Sequence, residues 1–126
     1  MDSASVGEVP LEERLVWARM IKDNRRARRV RDSFIPGKLF ADPAWDILLE
    51  LFLAELEQQR VPVSSLCLAS GVPATTALRW ISTLERRGVI ERTADPHDGR
   101  RYYLALSEQT SVQMARFGRQ TRFATV

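Results

Sequence analysis

ATTALRWISTLERRG, residues 74–88, is the stretch whose reading decides the fold. On a helical wheel at about 100° per residue, Ala77, Ile81 and Leu84 fall on one side with Trp80 toward its edge. Thr75, Arg79, Ser82 and Arg86 fall almost opposite, flanked by Thr76 and Thr83. The first face asks for a core. The second is made of hydroxyls and guanidinium groups without an acid, so it is either a solvated surface or a face built for a DNA major groove. There arginine pairs bidentately with guanine, and threonine meets phosphates or the thymine methyl. Gly88 ends the helix after Arg86 and Arg87, basic residues that the helix dipole favours at that end.

Working outward, VPVSSLCLASGVP (61–73) predicts a short helix over Ser65–Ser70, capped by Ser64 and stopped by Gly71, with the next helix starting near Pro73. Beyond Gly88 the apolar period shortens from 3.6 to 2, which predicts strands over Val89–Thr93 and Arg101–Leu106. In the second strand Tyr102, Leu104 and Leu106 share one face, and Tyr103 and Ala105 the other. The seven residues ADPHDGR (94–100) between the strands form a loop rich in turn formers, and Asp98-Gly99 is a sequence signature of a tight hairpin turn. Ser107 should cap a last helix carrying Val112, Met114, Ala115 and Phe117 and fraying near Gly118.

Upstream, Asp42 as N-cap and Pro43 at the first helical position open a helix expected to run to about Arg60. Its core stripe is Trp45, Leu48, Leu49, Phe52, Leu53 and Leu56. Before the break at Ile35-Pro36-Gly37, composition favours a helix from Pro10 to about Val30. Leu11, Leu15 and Ala18 lie along one stripe, and Trp17, Met20 and Ile21 along another. Residues 1–9 are expected to be disordered. The fold class that follows is mainly α with a small β-hairpin: a winged helix-turn-helix over residues 35–107, with a basic N-terminal helix (10–34) and a C-terminal helix (108–126) flanking it.

The 126 residues, 44% hydrophobic and 28% charged, suit one compact domain. A single cysteine, Cys67, and a single histidine, His97, exclude an intrachain disulfide and the usual zinc spacings. With no secretion signal or membrane span in the pattern, a reducing, cytoplasmic location is expected. Glycine-rich phosphate loops and nucleophile-base-acid arrangements are lacking, so the expectation is no enzyme and no cofactor. Charge is sorted along the chain: residues 14–31 hold eight basic residues and one acid, including Arg25, Arg26, Arg28, Arg29 and Arg31. Sorted positive charge suits a polyanion partner. The arginine cluster could track phosphates, pair with Glu50, Glu55 and Glu57 of another subunit, or stay mobile.

Two stretches carry a resemblance: ATTALRWISTLERRGVIER (74–92), and DPHDGRR (95–101) followed by LALS (104–107). Over about Trp45–Glu108 the chain resembles bacterial transcription regulators of the multiple-antibiotic-resistance (MarR) type. The resemblance implies a homodimer on double-stranded DNA with a palindromic operator. It also implies that Arg100, with Arg101 beside it, enters the minor groove, and that Asp98 orients arginine by a salt bridge. Members usually enclose a small-molecule effector pocket between long terminal helices and the DNA-binding lobes. Here the terminal segments are short and the N-terminal one is crowded with arginine, a departure from that pattern. Independently of the resemblance, Trp17, Met20, Ile21, Met114 and Phe117 are more apolar surface than two short flanking helices need for themselves, so the terminal segments Pro10–Val30 and Ser107–Phe123 are expected to form the dimer interface. The alternative is that both fold back on their own core. The alternative reading is a winged-helix module for protein-protein interaction, since one fold serves many functions. RNA binding is disfavoured by the lack of paired stacking aromatics on a sheet.

Overall fold

The computed structural model describes residues 9–124. The expectation of disorder for residues 1–8 lies outside them, but Val9 is buried in the core, which corrects the boundary drawn at residue 9. The elements are α1 (Leu11–Phe34), α2 (Pro43–Glu57), β1 (Val61–Pro62), α3 (Val63–Ala69), α4 (Ala74–Arg86), β2 (Ile90–Asp95), β3 (Asp98–Leu106) and α5 (Glu108–Thr121).

Helix α2 is the hub, in contact with α1, α3, α4 and β3. Ile47, Leu49, Leu51, Phe52, Leu53, Ala54 and Leu56 are all buried. The single stripe read from sequence is therefore too narrow, because a helix covered from several sides buries residues all round. It opens with Pro43 after Asp42, although the Asp42 side chain makes no cap bond. Its end comes at Glu57 rather than Arg60, where Gln58 turns left-handed at φ 55° and its N–H returns to Ala54 and Glu55.

Helix α1 runs to Phe34, four residues past the expected end, and lies along α2 through charge as well as apolar packing. Lys22 pairs with Glu57, Arg28 with Asp46, and Arg25 Nη1 with Glu50 Oε1 at 2.5 Å. The acids offered to another subunit's arginines thus pair within the chain, apart from Glu55, which accepts from Ser111 Oγ on α5 at 2.6 Å. Arg31 bonds Asp32 and lies 4.4 Å from the Phe40 ring centroid. Much of the basic run is therefore held by neighbours.

Trp17 and Ile21 are fully buried, Met114 is buried, and Met20 and Phe117 pack against the same core. The expectation that these five residues form a dimer interface is corrected: α1 and α5 fold back on their own domain. Phe123 explains why. Arg122 and Phe123 adopt positive φ, 54° and 59°, which reverses the chain after α5 and drives the Phe123 ring into the core. There it meets Phe52 at 5.5 Å, Phe117 at 5.3 Å and Trp17 at 5.8 Å between ring centroids. Tilted and edge-on aromatic contacts of this kind add to the apolar burial.

The sheet has three antiparallel strands in the order β1-β3-β2, one more than the expected hairpin. Val61 pairs with Leu104 and Pro62 with Tyr103. Two residues have no readable period, and proline is tolerated because β1 is an edge strand. Two helix limits also move. Helix α3 starts at Val63 with Pro62 at the cap, so Ser64 lies inside the first turn, while α5 continues past Gly118 to Thr121. Ser107 does cap α5, its side chain accepting from the Thr110 N–H.

Candidate nucleic-acid interface

The helix-turn-helix consists of α3, a four-residue turn and α4. Gly71 sits at φ +74°, a left-handed conformation that a side chain would strain. Ser70 is fully buried beside it: its Oγ donates to the Cys67 carbonyl at 2.6 Å and accepts from the Val72 N–H at 3.4 Å. Helix α4 then docks on the core through Ala77, Ile81 and Leu84, which are all buried. That fixes which face turns outward.

Thr75, Arg79, Ser82 and Arg86 are exposed, and Thr76 and Thr83 half-buried at the margin. Trp80, read toward the inner edge, is 38% exposed, because the core beneath α4 is closed by the smaller side chains. Arg86 lies along its own helix, with Nη1 3.1 Å from Ser82 Oγ and Nη2 3.3 Å from Thr83 Oγ1. Arg79 makes no hydrogen bond or ion pair among the described residues. The one acid of α4, Glu85, is gripped by Arg92 of β2, whose Nη2 and Nε lie 2.8 and 3.1 Å from its two oxygens. This pair raises the Arg92 pKa, chiefly through the hydrogen bonds to Glu85. The Arg92 guanidinium also lies 5.1 Å from the Tyr102 ring centroid.

The wing is β2, a turn and β3. Its two-residue turn is Pro96-His97, while Asp98 and Gly99 belong to β3. The Asp-Gly signature thus misplaces the turn by two residues, because the Asp95 side chain closes an Asx turn over Pro96-His97. Asp95 Oδ1 accepts from the His97 N–H at 2.8 Å, and Asp95 Oδ2 from the Tyr103 hydroxyl at 3.1 Å. The His97 bond, followed by that of Tyr103, holds the Asp95 carboxyl below its ordinary pKa. Asp98 Oδ1 accepts from the Arg100 N–H at 3.0 Å and lies 3.3 Å from Arg100 Nε. The Arg100 side chain is 93% exposed beyond that contact. Arg101 is exposed too, 5.9 Å from the Tyr103 ring centroid.

The folded chain brings the α4 hydroxyls and arginines and the wing arginines onto connected elements, with the Glu85–Arg92 pair between them. Sequence reading missed that pair. Its partners are seven residues apart across the helix-strand junction, and only the turn at Gly88, φ +72°, makes them neighbours. Also unforeseen is a cavity of about 370 Å³ where α1 and the α1–α2 connection meet the helix-turn-helix, with Arg25, Arg28, Arg29, Lys38 and Gly71 in its wall. Among the described residues no group of three or more His, Cys, Asp or Glu could hold a metal ion, and no helix is long and apolar enough to cross a membrane.

Residues 45–109, just over half the chain, match the family model described as a winged helix DNA-binding domain. None of the curated proteins compared matches the sequence. Among solved structures the chain is similar to a probable transcriptional regulator from Pseudomonas aeruginosa, at 24% identity and TM-score 0.52, covering 81% of this chain and 74% of that one. It is similar also to the S. aureus MepR-DNA complex, at 16% identity and TM-score 0.54, covering 82% and 83%. A protein from Archaeoglobus fulgidus, at 17% identity and TM-score 0.52, covers 73% of this chain and 96% of its own. At these identities the likeness is one of fold.

Proposed function

The chain belongs to the winged helix DNA-binding domain family, and on that premise we propose that it is a sequence-specific, double-stranded-DNA-binding transcription regulator of the MarR type. The observation that carries the reading is the outer face of α4: Thr75, Arg79, Ser82 and Arg86 are exposed together, and the only acid of the helix is occupied by Arg92. In this reading α4 enters the major groove. Arg79 and Arg86 face base edges, and Thr75, Thr76, Ser82 and Thr83 face phosphates and thymine methyls. The wing carries Arg100 and Arg101 to the adjacent minor groove, whose negative potential attracts arginine. Asp98 sets the direction of Arg100.

The regulator acts as a cytoplasmic homodimer on a palindromic operator, without catalytic activity. A two-fold dimer sets two copies of α4 in successive major grooves roughly 34–36 Å apart and multiplies a weak single contact. The residues first expected at the dimer contact lie in the core or pack against it, but α1 leaves Leu11 60% and Leu15 62% exposed one helical turn apart, with Val16 beside them. This N-terminal stripe replaces them as the support for a dimer contact.

Selection of bound fragments from random duplex DNA tests the reading. The expected result is an enriched palindrome whose affinity falls steeply with salt, as ions compete for phosphates. Failure to enrich any motif overturns sequence-specific binding. Salt-insensitive association with protein instead supports an interaction module. Sedimentation of the full chain at micromolar concentration should give a dimer, and a Leu15→Glu variant a monomer.

A further inference from the structure

Leu78 is the fifth residue of α4 and leaves 47% of its surface exposed. Thr75 one turn before it and Ser82 one turn after it are also exposed, so Leu78 borders the polar outer face rather than the core. Two turns on, along the same flank of the helix, lies Glu85, whose carboxylate is held by Arg92 of the wing. An aliphatic side chain in this place has nothing to offer phosphates, or the acceptor atoms of guanine and adenine. The one aliphatic group in the major groove is the C5-methyl of thymine, and it is the group an apolar side chain recognises. Position along the helix points the same way, because the N-terminal part of a recognition helix is the part that reaches base edges.

We propose that Leu78 is a specificity-determining residue that packs on a thymine C5-methyl in each half-site of the operator. The inference rests on the DNA-binding reading above and adds a base identity to it. Arg79 beside it reads a hydrogen-bonding edge; Leu78 reads a methyl group.

The test uses the full chain and the duplex obtained by random selection, with each thymine replaced singly by deoxyuridine, which lacks only the methyl group. Removing the contacted methyl should weaken wild-type binding roughly four-fold, the factor associated with one buried methyl-sized group. In Leu78→Ala the same replacement should change affinity little, while the thermal midpoint stays near that of wild type. If the selected motif tolerates deoxyuridine at every thymine, or if Leu78→Ala suffers the same loss as wild type, the assignment of Leu78 is overturned while the DNA-binding reading stands. If no motif is enriched, both are overturned together.

Discussion

Arg92 and Glu85 tie the wing to the exposed helix by two parallel hydrogen bonds, at 2.8 and 3.1 Å. The pair is partly exposed, so its worth to stability is small, but a bidentate guanidinium-carboxylate contact fixes direction as well as distance. Arg92→Ala is expected to change unfolding free energy by less than about 1 kcal/mol and yet to weaken specific DNA binding, because α4 and the wing lose their fixed relation. Equilibrium denaturation and fluorescence anisotropy on one preparation separate the two effects. Unchanged DNA affinity would show that the pair has no positioning role.

Arg79 has no partner among the described residues. Arg79→Ala should weaken binding to the selected duplex by about 1–3 kcal/mol, leave nonspecific binding less affected, and preserve the melting temperature. A loss of thermal stability in step with the loss of affinity would place Arg79 in the fold rather than the interface.

At the wing, Arg100→Ala should cost most on operators with A·T-rich flanks, where a narrow minor groove deepens the negative potential. Titrations on duplexes that differ only in flanking composition check this. An equal loss on G·C-rich flanks would reduce Arg100 to a phosphate contact.

Gly118 lies inside α5, where replacing glycine by alanine ordinarily favours the helix by up to about 1 kcal/mol. Here the added Cβ would stand 2.6 Å from Phe123 Cε2 and 3.2 Å from two atoms of the Trp17 ring. Both rings are fully buried and confined by other aromatics. Overpacking in such a core costs about 1–3 kcal/mol, so Gly118→Ala should be a net destabilisation in urea denaturation. A rise in the urea midpoint would contradict this packing.

Glu55 bridges α2 to Ser111 of α5, and burial raises its carboxyl pKa against the smaller opposing effect of the Ser111 hydrogen bond. A folded-state pKa above the unfolded one means that the native state holds the proton more tightly. Stability from this group is therefore fully present below the unfolded pKa and is lost as pH rises through the folded one. Glu55→Gln keeps an acceptor for Ser111 and removes the charge. It should be more stable than wild type at neutral pH, with the difference vanishing in acid. Thermal melts across the acidic range measure it, and a difference that grows toward low pH would reverse the assignment.

Sequence alone determined the helix-turn-helix and the wing, because both rest on short-range physics. Ala77, Ile81 and Leu84 recur at helical spacing, Gly71 and Gly88 stop helices, and alternation begins after Gly88. The same periodicity assigned the outward face of α4, since a helix with one apolar side leaves its other side in water. Tertiary structure decided what has no local signature. Strand β1 exists only through its pairing with β3, and the Asp95 carboxylate beside the wing turn is anchored from across the hairpin by Tyr103. Glu50 and Asp46 meet Arg25 and Arg28 because two helices lie side by side. Trp17 is closed over because the chain reverses at Arg122 and brings Phe123 back beside α1. Hydrophobic burial is non-directional: the pattern states that these side chains must be covered, and only the packed chain decides whether its own elements or a second copy will cover them.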